Sequence, residues 1–185
     1  MASSNIILKV GDPAPDSSLL NTAGDSVHLS DYWQKQPIVL VFLRHFGCTF
    51  CRQHIANLRK DYQQFQDAGA QVICVGMGIS KVGRGFEILM DLKFPVLVTG
   101  ETNAPYLEYG LGKGSLGQIF GIRSFVKALK ATFQGHVGTS VQGDPYQMPG
   151  VFIIDTTGVL KYAHYYEDIG DTPENSELIA ALKFS

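Results

Sequence analysis

Short unbroken apolar runs alternate along the chain with longer stretches in which apolar residues recur every three or four positions. Ile38-Val39-Leu40-Val41-Phe42-Leu43 is continuous and rich in β-branched residues, the pattern of a strand covered on both faces. From Cys51 the apolar positions Ile55, Leu58, Tyr62 and Phe65 repeat at helical spacing, and Gly69 stands where a helix C-cap is expected. Gln71 to Val75 predicts a second buried strand, about 83–92 a weaker helix, and Val96-Leu97-Val98 a third strand, so the first half reads β-α-β-α-β. Val151-Phe152-Ile153-Ile154 is a further buried strand, and the turn residues Asp155-Thr156-Thr157-Gly158 fold the run Val159 to Tyr166 back on it as a hairpin. Thr172 and Pro173 form an N-cap and first-turn pair that opens a last helix carrying Leu178, Ile179 and Leu182. Between the halves lies a Gly-rich segment, about 101–147, with Ile119, Ile122, Val126, Leu129 and Phe133 at helical spacing. It is read as an inserted packing helix, interrupted by Gly117 and Gly121, with a lid over the site as the other reading.

Composition narrows the classes. A chain of 185 residues with 45% hydrophobic content fits one domain, 1–185, with a substantial core. Fifteen basic residues against seventeen acidic ones leave a formal charge of −2, which gives no electrostatic footprint for nucleic acid or an anionic membrane surface. Met1 to Val10 carries neither a charged leader nor a long apolar core, so a cytoplasmic location is expected. Three cysteines do not make a disulfide framework, and in a reducing compartment a close pair is redox-active or metal-binding.

That pair is Cys48 and Cys51, placed where a buried strand turns into a helix. Unpaired backbone N–H groups and the dipole at a helix N-terminus favour a thiolate on the first sulfur, and the second can then attack a mixed disulfide or sulfenic acid formed there. Arg44, Arg52 and His45 are candidates for nearby positive charge. Arg44, at the end of the strand, is favoured, while Arg52 reads equally well as a solvated helix residue and His45 as a structural one. Cys74 sits inside an apolar strand and reads as a small core residue.

A metal competes for the same residues, because His45, Cys48, Cys51 and His54 recur at intervals of three. On a helix each such step rotates by about −60° and rises about 4.5 Å, so one ion could not reach all four, and a metal site would also need distant help, for example from His136 or His164. The segment Gly76-Met77-Gly78-Ile79-Ser80-Lys81 begins like a dinucleotide fingerprint, but Lys81 replaces the third glycine and no acidic residue follows at the right distance, so it reads as a loop. No cofactor is expected.

These residues resemble the alkyl hydroperoxide reductase/thiol-specific antioxidant superfamily of thioredoxin-fold proteins. Val10-Gly11-Asp12-Pro13-Ala14-Pro15-Asp16, Gly24 and Val27 to Tyr32 are similar to the N-terminal hairpin of peroxiredoxins; Arg44 to Arg52 and the stretch Gln142-Gly143-Asp144, Gln147 and Pro149 to Asp155 resemble the peroxiredoxin-like 2 group. The resemblance implies a mixed central sheet flanked by helices, a proline facing the cysteine pair and usually cis, here Pro149, and a pocket arginine at about the position of Arg123. It further implies a peroxide or disulfide substrate, an external thiol reductant such as a thioredoxin or glutathione system, and a homodimer as one arrangement. The Pro and Thr that ordinary peroxiredoxins carry seven and three residues before the peroxidatic cysteine are not kept: Val41 and His45 precede Cys48, and Arg44 and Cys48 precede Cys51. The expected function is a thiol-dependent, antioxidant oxidoreductase using the Cys-x-x-Cys pair. A non-enzymatic redox sensor or partner-binding module is the alternative, and a metal carrier stands third.

Overall fold

The computed structural model describes residues 7–115, 144 and 146–183. Seven strands form one mixed sheet in the order β2-β1-β5-β4-β3-β6-β7. β1 (Ser18–Leu20) and β2 (Ser26–His28) make the N-terminal hairpin, followed by the short helix α1 (Ser30–Trp33). β3 (Ile38–Phe42) pairs in parallel with β4 (Gln71–Gly76), and β4 with β5 (Val96–Val98). On the other side of β3, β6 (Gly150–Ile154) runs antiparallel, and β7 (Leu160–Tyr165) completes the C-terminal hairpin.

The two-sided burial read from the sequence has a direct counterpart. Val39 and Val41 of β3, Val72 and Cys74 of β4, and Val151 and Ile153 of β6 point into one apolar cluster. Their neighbours Leu40, Phe42, Ile73, Val75, Phe152 and Ile154 point into a second cluster on the opposite face. Strict alternation of side chains along a strand produces this division, and a strand buried on both sides must therefore be apolar throughout. Helices α2 (Thr49–Lys60), α3 (Tyr62–Asp67), α4 (Ser80–Leu89) and α6 (Asn175–Leu182) contribute to the first cluster, and α1 and α5 (Ala104–Glu108) to the second.

Several boundaries differ from the sequence expectation. The helix expected to run unbroken from Cys51 to Gly69 is divided at Asp61, where φ is −101° and ψ is 12°. Asn175 Nδ2 reaches across from α6 to donate to Asn57 O at 2.9 Å and to Asp61 Oδ2 at 2.8 Å, which holds the chain in that bend. Gly69 does end the pair of helices with a φ of 76°, its N–H bound to Gln66 O. α4 begins at Ser80, so Ser80 and Lys81 of the supposed loop are helical. The last helix starts at Asn175, after Thr172 and Pro173: the Thr172 N–H closes a turn on Gly170 O, and Glu174 takes the N-cap position. α5 was not expected, and the helical stripe Ile119 to Phe133 lies outside the described residues. Among the described residues no helix is long and apolar enough to cross a membrane.

Candidate active site

β3 ends beneath a loop that is held from below. Leu43 N–H donates to Val75 O at 2.8 Å, and the buried Tyr106 hydroxyl of α5 donates to Leu43 O at 2.6 Å. The chain then passes through Arg44, His45, Phe46 and Gly47 to Cys48, which occupies the N-cap of α2 with φ −71° and ψ 120°. Arg52, one turn into the helix, is only 9% exposed, and its Nε donates to Phe46 O at 3.1 Å, bracing the loop from within. The solvated alternative for Arg52 is thereby corrected: its side chain is buried and its guanidinium is spent on a backbone carbonyl of the loop.

Cys48 is 4% exposed and Cys51 5%, and both are reduced. Donation from the Cys51 thiol is the largest influence on Cys48; burial opposes it, while the Cys51 and Phe50 N–H groups and the Arg44 charge assist, and the balance lowers the Cys48 pKa to about 6. Neither N–H closes a short capping bond, so their effect is that of dipoles aimed at the sulfur. Cys51 moves the opposite way. Sharing its proton with Cys48, burial and the Cys48 charge raise it well above the usual thiol range, and the Arg44 N–H, 3.4 Å from its sulfur, offsets this only in part. At neutral pH the pair is one thiolate and one thiol, with the negative charge on Cys48.

Of the other expected site residues, Arg44 is half-buried and lends its charge to Cys48. His45 supplies none: burial and then Arg44 lower its pKa to about 4, so it is a neutral ring at pH 7, and its Nδ1 has no hydrogen-bond partner among the described residues. Pro149 is buried at the entry to β6, whose first residue Gly150 pairs with Phe42 at the end of β3 beside the cysteine loop. Its peptide bond with Met148 is trans, not cis. The segment is tied in that form by Met148 N–H to Gly112 O at 3.0 Å and by the buried Gln147 amide, which donates to Leu111 O at 2.9 Å and Gly112 O at 3.1 Å. Arg123 lies outside the described residues. Cys74 is fully buried in the β4 core, and burial pushes its thiol far up.

Sequence reasoning missed Tyr106 and Tyr166, and saw His54 only as a metal ligand. Among the described residues no three His, Cys, Asp or Glu side chains converge where a metal could sit. His54 instead meets Tyr166, its Nδ1 3.0 Å from the tyrosine hydroxyl. Those partners are 112 residues apart, and no local signal joins them.

A cysteine capping a helix at the end of a central strand, in a mixed sheet of this order, defines the thioredoxin-like class of thiol redox folds. Within that class the chain belongs to the AhpC/TSA family, whose model matches residues 10–163. It is similar to the prostamide/prostaglandin F synthase of Salmo salar, with 26% identity covering 94% of this chain and 88% of that protein. Peroxiredoxin-like 2C of Bos taurus is 24% identical, over 86% of this chain and 74% of its own length. Among solved structures, the peroxidoxin BcpB of Mycobacterium tuberculosis superposes with a TM-score of 0.71 at 16% identity, covering 96% of this chain and 97% of that one, a likeness of fold. The family carries thiol redox chemistry, and the protein is peroxiredoxin-like.

Proposed function

We propose that the protein reduces peroxides through the pair Cys48 and Cys51, with Cys48 as the attacking thiolate. The observation that carries this reading is the placement of Cys48 at the α2 N-cap with the Cys51 thiol as its donor. The Cys48 thiolate attacks one peroxide oxygen, the O–O bond breaks, and the departing alkoxide takes a proton, leaving a sulfenic acid. Cys51 then attacks that sulfur; the S–O bond breaks, the disulfide forms, and the hydroxyl leaves as water with the Cys51 proton. Two electrons from an external thiol, of the thioredoxin or glutathione kind, restore both thiols.

Access favours a peroxide over a protein disulfide, because Cys48 is only 4% exposed and two oxygen atoms need less room than a folded partner. The salmon relative is named a prostamide/prostaglandin F synthase, so peroxides of that lipid class are among the substrates to try. Peroxide consumption with a thioredoxin or glutathione system supplying electrons tests the reading. Cys48→Ser is expected to remove all turnover, and Cys51→Ser to keep one stoichiometric oxidation while losing turnover by at least a hundredfold. Full activity in Cys48→Ser would refute the assignment of roles, and a wild-type protein oxidised once without turnover would support the sensor reading instead.

A further inference from the structure

Tyr106 takes no part in the chemistry above, yet its hydroxyl holds the backbone unit that touches Cys51. The side chain is fully buried on α5, its ring edge-on to that of Phe42 with centroids 5.0 Å apart. Val75 O already accepts the Leu43 N–H at 2.8 Å and lies 3.4 Å from the hydroxyl, so the 2.6 Å bond to Leu43 O is where the Tyr106 proton is spent. The N–H that shares a peptide unit with that oxygen belongs to Arg44, and it donates to Cys51 Sγ at 3.4 Å.

A peptide unit is planar, and in the trans form its C=O and N–H point in opposite directions. Holding the oxygen on one side therefore aims the hydrogen on the other. Donation to the oxygen also polarises the unit, which makes the N–H a stronger donor. The disulfide-closing step is where this matters most. In the reduced pair Cys51 keeps its proton because it shares it with Cys48, because it is buried, and because Cys48 is charged. Once Cys48 carries a sulfenic acid or a mixed disulfide, its charge and its claim on that proton are gone. Burial stays, and the N–H groups of Arg44 and His45 are what oppose it.

We propose that Tyr106 is a positioning residue for Cys51: by holding Leu43 O it aims the Arg44 N–H at the Cys51 sulfur and steadies the thiolate that closes the disulfide. The inference rests on Cys51 being the resolving thiol. Among the described residues, the ionisable groups around this contact are Cys48 from α2, Arg44 and His45 from the loop, Cys74 from β4, Tyr106 from α5 and Tyr166 after β7. Burial keeps the Cys74 thiol and both tyrosine hydroxyls protonated, and His45 neutral, from about pH 5 to 10. With Cys48 held in a mixed disulfide, Cys51 sets the pH profile of closure.

Reaction with 4,4′-dithiodipyridine separates the two thiols. Attack by Cys48 breaks the reagent's S–S bond, releases one thiopyridone and leaves a mixed disulfide; attack by Cys51 releases the second and closes the protein disulfide, its own proton passing to solvent. Tyr106→Phe keeps the ring and removes the donor, and the first release should stay within about twofold of wild type. The second should slow about fivefold at low pH, with its profile displaced upward by about 0.7 unit and the two rates converging where Cys51 is fully ionised. Tyr106→3-fluorotyrosine, a more acidic donor of nearly the same shape, should displace the profile downward. A profile unmoved in either protein, or closure slowed by one factor at every pH as a loosened loop would give, would overturn the proposal while leaving the cysteine roles standing. A wild-type protein that releases only one thiopyridone would overturn both.

Discussion

Cys48 and Cys51 are the same residue type three positions apart, and their different protonation comes from where each lies on the first turn of α2. The N-cap sulfur collects N–H dipoles and a thiol donor, while the equally buried sulfur one turn in gives up that donation and faces the Cys48 charge. Arg44 contributes to Cys48 after the Cys51 thiol and N–H, which bounds what its loss can do. In Arg44→Met the Cys48 pKa is expected to rise by roughly half a unit, lowering peroxide reactivity about threefold near pH 5.5 and hardly at all at pH 8. Stopped-flow rates at the two pH values check this; an equal loss at both would mean that Arg44 binds substrate instead of tuning the thiolate. The sequence made this end of β3 legible because strand, loop and helix start are contiguous. It did not reveal that His45 is neutral or that Arg52 is inside, since both follow from burial, which appears only once the chain is folded.

At the scale of elements, the loop's support comes from β4. Gly76 closes that strand under the Phe46 ring, and a Cβ there would come within 2.2 Å of Phe46 Cζ. Gly76→Ala is expected to cost about 1–3 kcal/mol in denaturant unfolding and to slow Cys48 alkylation, because Phe46 can yield only by moving the segment that ends at Cys48. Unchanged stability and alkylation would show that Phe46 relaxes elsewhere. The turn between β6 and β7 is held by Asp155, whose carboxylate accepts from Thr157 N–H at 2.8 Å and Val159 N–H at 3.0 Å and meets Lys161 Nζ at 3.2 Å. Burial raises its pKa, but the donors outweigh it and hold it at about 2, against an ordinary 3.8. A depressed carboxylate stabilises above its unfolded pKa and loses that contribution as pH falls through the folded one. The stability difference between wild type and Asp155→Asn should therefore be about 2 kcal/mol above pH 4, fall to about 0.4 kcal/mol near pH 2 and vanish about one unit lower. A pH-independent difference would place the effect in turn geometry. That turn was plain in the sequence because Asp-Thr-Thr-Gly states its chemistry locally; the break at Asp61 was hidden because its cause, Asn175, lies more than a hundred residues away.

Across the whole molecule, β3, β4 and β6 were readable because each is apolar on both faces, whereas α5, a helix of five residues containing Pro105, has no periodicity to detect. The sheet they form brings the start of β6, the end of β3 and the first turn of α2 to one edge, with Met148 in the cluster that encloses both sulfurs. The trans Pro149 and the Tyr166–His54 pair belong to this long-range assembly, which is why neither could be read from neighbouring residues. The central claim is that the fold ionises one cysteine and protonates the other. Iodoacetamide alkylation of the reduced protein from about pH 4 to 10, resolved by peptide mass spectrometry, measures both directly. Cys48 should reach half its maximal rate near pH 6 and fall tenfold per unit below it, while Cys51 stays unreactive until above pH 9. A Cys51 that titrates below Cys48, or a pair in which neither ionises below pH 8, would contradict it.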